Sequence, residues 1–104
     1  MTPQGSLVSF ARMDGAWLGS VTIAIDKAFT ARAFNLSTAE LGKLSQPGKP
    51  FYGIQGSNQG RVMIFPGGIP LHRDGEIVGA VGVSGGDNDQ DQAVAQAAAS
   101  SLAG

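Results

Sequence analysis

Four polar residues in the first third of the sequence are spaced for work on an anionic small molecule: Arg12, Asp14, Lys27 and Thr30. Arg12 ends a predicted strand, and Asp14 lies in the turn that follows. Lys27 and Thr30 are three residues apart, so they share one face of a predicted helix. Their neighbours on that face are small or apolar. A guanidinium and an ammonium in such surroundings suit a carboxylate-bearing ligand. In a catalytic version of the arrangement, Lys27 or Asp14 carries the proton and Arg12 clamps the carboxylate. In the simpler version, Lys27 reaches water or pairs with a surface acid. A lone lysine on an alanine-rich face predicts that Lys27→Met spares the fold and weakens ligand binding.

The second candidate is the glycine-rich stretch Gly82-Val83-Ser84-Gly85-Gly86. It fits the G-x-S-x-G pattern, but a nucleophile elbow needs an acid and then a histidine after the serine. The one histidine, His72, precedes it. A strand-to-helix turn is the simpler reading, with Gly85 or Gly86 at positive φ. The backbone N–H groups of Gly85 and Gly86, beside a helix start, also make an anion cradle. The segment lacks the Gly-Lys-Ser/Thr of a nucleotide loop. Asp87, Asp89 and Asp91 begin like a calcium loop, but Gln92 and Ala98 stand where glycine and glutamate are required. His72 is a weak metal candidate, since one histidine without cysteine makes no transition-metal site alone. Met13, Tyr52 and Met63 are conceivable axial haem ligands that packing explains better.

These residues need elements to hold them. Residues 6–12 read as a strand, with residues 13–15 turning after it. A helix runs from Val21 to about Asn35 with Ser20 as its N-cap; Val21, Ala24, Ala28 and Ala31 recur at helical spacing beside Ile23, Lys27, Thr30 and Phe34. Ser37 to Glu40 forms a capping box for a short helix ending by Gln46-Pro47-Gly48. Residues 51–55 and 61–65 are strand candidates. Asp74-Gly75 marks a type I′ hairpin between residues 69–73 and 76–83, with Arg73 opposite Glu76. The second of these strands is nearly all apolar and should be central. Asp89 and Gln92 cap a last helix that buries Val94, Ala97, Ala98, Ser101 and Leu102. The order predicts an α+β layer fold, an antiparallel sheet of about four to five strands flanked by helices.

Composition narrows the function classes. With 104 residues the chain allows one domain. Net charge is −1 with scattered basic residues, which disfavours nucleic acid. No cysteine is present, which removes disulfides, thiolate metal sites and cysteine nucleophiles. No apolar run spans a bilayer, and residues 1–5 do not resemble a signal peptide, so a cytoplasmic protein away from membranes is expected.

Five blocks in order carry a resemblance: FARMDGA (10–16), KAFTARAF (27–34), FPGGIPL (65–71), DGEIVGAVGVSGG (74–86) and QDQAVA (90–95). Together they resemble the GlcG/HbpS family of haem-binding-type proteins and, similarly, the C-terminal domain of PduO-type adenosyltransferases. The resemblance implies a profilin-like layer architecture, self-association, and haem or a corrinoid-type tetrapyrrole as ligand. It implies a pocket lined by Arg12, Lys27, Thr30, Gly67, Gly68, Ser84, Gly85 and Gly86. Such proteins usually begin with a helix and a strand that this sequence does not show. The expectation is therefore an N-terminally short domain that forms a homo-oligomer or takes the segment from another subunit. A haem-ligating histidine of some relatives lies in that segment. The leading expectation is a small-molecule binder. The alternatives are a cofactor-free lyase or isomerase acting on a carboxylated metabolite, and an accessory protein of a metabolic operon.

Overall fold

The structure is a computed structural model, and it describes residues 7–12 and 17–102. The described elements are β1 (Leu7–Arg12), α1 (Gly19–Phe34), α2 (Thr38–Leu44), β2 (Gly68–Arg73), β3 (Glu76–Ser84) and α3 (Asn88–Leu102). The fold is α+β. The β2–β3 hairpin is antiparallel, and β3 is central in the order β1-β3-β2. Asp74 and Gly75 both have positive φ, 54° and 82°, as a type I′ turn requires, and Arg73 pairs with Glu76.

Two expectations about the sheet are corrected. β1 pairs with β3 in parallel, so the sheet is not wholly antiparallel. Among the described residues it also has fewer strands than the four or five expected, because residues 51–55 and 61–65 form none. The first segment turns at Gly53, whose φ is 90°, and the chain beyond it keeps turning, with Asn58, Gln59 and Gly60 also at positive φ. In the second, the N–H of Met63 donates to the Thr30 hydroxyl at 2.9 Å, so a helix side chain takes a donor that a neighbouring strand would need.

The near-continuous apolar run of β3 follows from cover on both faces. Val81 and Val83 pack with Leu71 and Ala95 on the α3 side, while Ala80 packs with Ala28 and Ala31 on the α1 side. The alanines Ala24, Ala28 and Ala31 are fully buried, and their small size lets α1 lie close to the strand. At Gly82 this approach is closest. A Cβ there would collide with the carbonyl oxygen of Ala24 and come within 2.8 Å of the Ala28 nitrogen.

The helix ends differ in part from expectation. Ser37 caps α2 by accepting the Glu40 N–H at 3.1 Å, as its capping box predicts. Ser20 does not cap α1; Leu18 holds the cap position without a side-chain bond, and Ser20 lies inside the first turn. Asp87, not Asp89 or Gln92, caps α3: Asp87 and Gln90 bond each other's backbone N–H at 2.8 and 2.9 Å. α3 buries Asp91 and Ala95, with Ala98 and Ala99 partly covered, whereas Val94 and Leu102 are exposed. Its inward face is thus rotated from the one the spacing suggested.

Candidate functional site

β3 ends at Ser84, and the chain turns through Gly85 and Gly86 into α3. The N-terminal halves of α1 and α3 stand on either side of that turn. Between them lies an open cleft of about 330 Å³. Trp17, Ser20, Ile23 and Lys27 line it from the α1 side, Asn88 and Asp91 from α3, and Phe65 closes a third wall. Trp17 is 85% exposed and Phe65 55%, so two aromatic side chains stand open at its rim.

Lys27 crosses from α1 to the far side of the sheet end. Its ammonium donates to the Val83 carbonyl at 2.8 Å and to Asp91 Oδ2 at 3.0 Å, with only 2% of the residue exposed. Asp91 accepts the Gly86 N–H on its other oxygen at 2.9 Å. One buried ion pair therefore joins α1, the end of β3, the glycine turn and α3. A charge this deeply buried requires its partner. Ser84 adds a second tie, its hydroxyl donating to the Ser20 carbonyl.

The residues expected at the site divide into three groups. Lys27, Ser84, Gly85 and Gly86 all line the cleft. Thr30, Gly67 and Gly68 are buried behind it. Thr30 bonds the Asp26 carbonyl at 2.7 Å and receives the Met63 N–H. Gly67 and Gly68 donate to Gln92 Oε1 and Thr38 Oγ1 at 3.1 and 2.8 Å. Any Cβ at Gly67 would press on Lys27 Nζ at 2.9 Å, so glycine there makes room for the lysine. Arg12 closes β1 in register with Ser84, which sets its backbone at the cleft end of the sheet. Asp14 and Met13 lie outside the described residues. His72 is exposed on β2 and borders a shallow hollow with Leu71 and Ala99, not the cleft. No cluster of three metal-ligating side chains occurs among the described residues.

The sequence does not single out Trp17, Ser20, Phe65 or Asp91 as site residues. Asp91 sits 64 positions from Lys27, a separation no local pattern reveals. An aspartate one helical turn after a capping residue was the available signal.

Gly85 has φ 108°, which side-chain-bearing residues rarely adopt. Gly85→Ala is expected to lower stability by about 1 kcal/mol or more, read as a shifted denaturant midpoint at unchanged slope. An unchanged midpoint would mean that the turn tolerates another conformation.

The described residues form a layered α+β domain with an open, aromatic-rimmed cleft beside two helix starts. Residues 1–100 match the family described as Haem degrading protein HbpS-like, and the chain belongs to that HbpS-like family. It is 43% identical over 94 residues to an uncharacterised 15.0 kDa protein of the dhaT–dhaS intergenic region of Citrobacter freundii, covering 90% of this chain and 66% of that one. It is 43% identical over 91 residues to the corrinoid adenosyltransferase PduO of Salmonella typhimurium, covering 88% of this chain and 27% of that protein. Among solved structures, the PduOC:haem complex superposes with a TM-score of 0.87 at 40% identity, covering 97% of this chain and 73% of that one. The chain thus spans under two thirds of the first relative and about a quarter of the second. No helix among the described residues is long and apolar enough to cross a membrane.

Proposed function

We propose that the cleft binds haem or a related tetrapyrrole, such as a corrinoid, as a binding protein with no chemistry of its own. The observation that carries this reading is the pair of exposed aromatic side chains, Trp17 and Phe65, at the rim of one open cleft. Flat conjugated ligands gain from aromatic faces, and aromatic residues left in water at a cleft rim gain from being covered. An open cleft seats one edge of such a ligand and leaves the rest accessible. The haem complex of the PduOC relative supports the same ligand class.

The described lining residues include no histidine, cysteine, methionine or tyrosine. They fit the ring faces and its side arms, and the iron ligand is not assigned to any of them. Lys27 belongs to the reading as the support of the floor. The runner-up, a lyase or isomerase using Lys27 as proton carrier, requires an ammonium free of the two acceptors it holds. Self-association is part of the proposal. Trp17 and Leu18 are both mostly exposed, and β3 is the one described strand paired with β1. Both features suit a second copy of the chain.

Titration with haemin tests the ligand. A shifted Soret band saturating near one equivalent is the expected result, and a corrinoid titrated in parallel separates the two tetrapyrrole classes. Spectra that remain those of free haemin and free corrinoid would overturn the proposal.

A further inference from the structure

The cleft offers a ligand's acid groups no free cation among its described lining residues: Lys27, the one cationic residue there, is already held by Asp91. Arg61 is built differently. Its Nε donates to Asp26 Oδ1 at 3.1 Å, and its guanidinium lies over the Phe29 ring, 3.8 Å from the centroid. Its two terminal nitrogens bond no described residue, although a bidentate pair with Asp26 would have used one of them. The Arg61 side chain is 43% exposed, against 13% for Asp26. One edge and one face of the guanidinium are thus fixed, and its terminal N–H fork is left to water in a set orientation. Such a fork matches a carboxylate. The arrangement adjoins the cleft on two counts. Asp26 follows Ile23, a lining residue, by three positions, which is about 4.5 Å along α1 on a neighbouring row. Arg61 also begins the segment that ends at Phe65, the third wall of the cleft. Thr30 fastens that segment to α1: its hydroxyl accepts the Met63 N–H at 2.9 Å and lies 3.3 Å from the Arg61 carbonyl oxygen.

Resting on the reading of the cleft as a ligand site, we propose that Arg61 receives a carboxylate of the ligand, with Asp26 and Phe29 holding its fork in place. The ligand is thereby oriented: its apolar body lies against Trp17 and Phe65, and its acid group lies about one helical turn farther along α1. Asp26 acts in two opposed ways. It positions Nε, and its negative charge weakens the attraction for a second carboxylate. The carboxylate comes either from the short side arm of a tetrapyrrole or from a free small organic acid.

The test titrates haemin and its dimethyl ester, which lacks free carboxylates, into the parent, Arg61→Gln and Asp26→Asn. Exposed ion pairs add little to stability, so both variants should fold, and their unfolding midpoints check this. The parent is expected to prefer haemin over the ester by about tenfold, the scale of one hydrogen bond to a charged group. Arg61→Gln should lose that preference. Asp26→Asn should enlarge it, because a carboxamide still accepts from Nε without opposing the ligand's charge. If the pair only supports the fold, both variants shift the preference in the same direction or leave it unchanged, and either result overturns the proposal. Propionate, titrated into nitrogen-labelled parent and followed at the Arg61 Nε–H resonance, identifies the source. If the parent prefers haemin and Arg61→Gln does not, the carboxylate is a tetrapyrrole arm. If haemin binds no better than its ester while propionate shifts the Arg61 resonance saturably, the site takes a free organic acid. If neither haemin nor its ester binds while propionate gives that shift, the tetrapyrrole reading falls and the Arg61 site stands. Haemin bound without preference over its ester, together with no saturable propionate shift, overturns this proposal and leaves the tetrapyrrole reading in place. Absence of both responses overturns both.

Discussion

Lys27→Met is expected to destabilise the protein by about 3–5 kcal/mol, because it leaves the Asp91 carboxylate buried without its counter-charge. The side chains of Lys27 and Asp91 are 3% and 5% exposed, so water cannot replace the lost ammonium. The Val83 carbonyl loses its donor in the same step. The double variant Lys27→Met/Asp91→Leu removes both charges and should recover most of the loss, since an apolar pair of similar volume often replaces a buried ion pair at little cost. Denaturant unfolding of the two variants and the parent measures this coupling. A single variant as stable as the parent would contradict the account of the floor. The sequence alone suggested the opposite outcome, a spared fold, because Lys27 looked like a lone cation on a small-residue face.

The second large effect is expected at Gly82. Its alanine variant should lose about 3 kcal/mol, at the upper end of what overpacking costs. The added methyl would meet the backbone of α1 at Ala24 and Ala28, not a side chain that can rotate away. Relief would require α1 to lift from β3, and Ser20 and Lys27 would move with it. Gly56→Ala is the control, since an added Cβ there meets nothing within 4 Å. That change should stay within about 0.5 kcal/mol. Equal unfolding midpoints for both variants would show that the helix can shift without cost.

The parts of the fold that sequence made legible are those set by local chemistry. Asp74-Gly75 supplied the turn, Ser37 and Glu40 supplied the cap, and the alanine spacing supplied the inner face of α1. The continuous apolar run of β3 announced a central strand. The misreadings occurred where a distant group decided the outcome. Residues 61–65 have strand composition, but the Thr30 hydroxyl holds the Met63 N–H. In the sequence Asp91 is one of three aspartates that only begin like a calcium loop, and its role is set by Lys27 across the sheet. Ser20 has the type of a cap residue, yet it sits two positions beyond the cap and faces the cleft. Four of the expected site residues line the cleft, because lysine on a small-residue face and a glycine turn after a strand are both local signals. The aromatic rim carried no such signal. Trp17 and Phe65 meet only through the tertiary arrangement of α1 and the segment before β2.

Trp17 is the one tryptophan in the sequence and stands at the rim of the cleft, so its fluorescence reports directly on occupancy. Haemin quenches indole emission at short range. The direct test of the central claim is a haemin titration read at once by Soret absorption and by Trp17 emission. The account predicts that both signals saturate together near one equivalent, and that Phe65→Ala weakens both by the same factor. A Soret shift that saturates while Trp17 emission is unquenched would place the ligand away from the cleft and contradict the account.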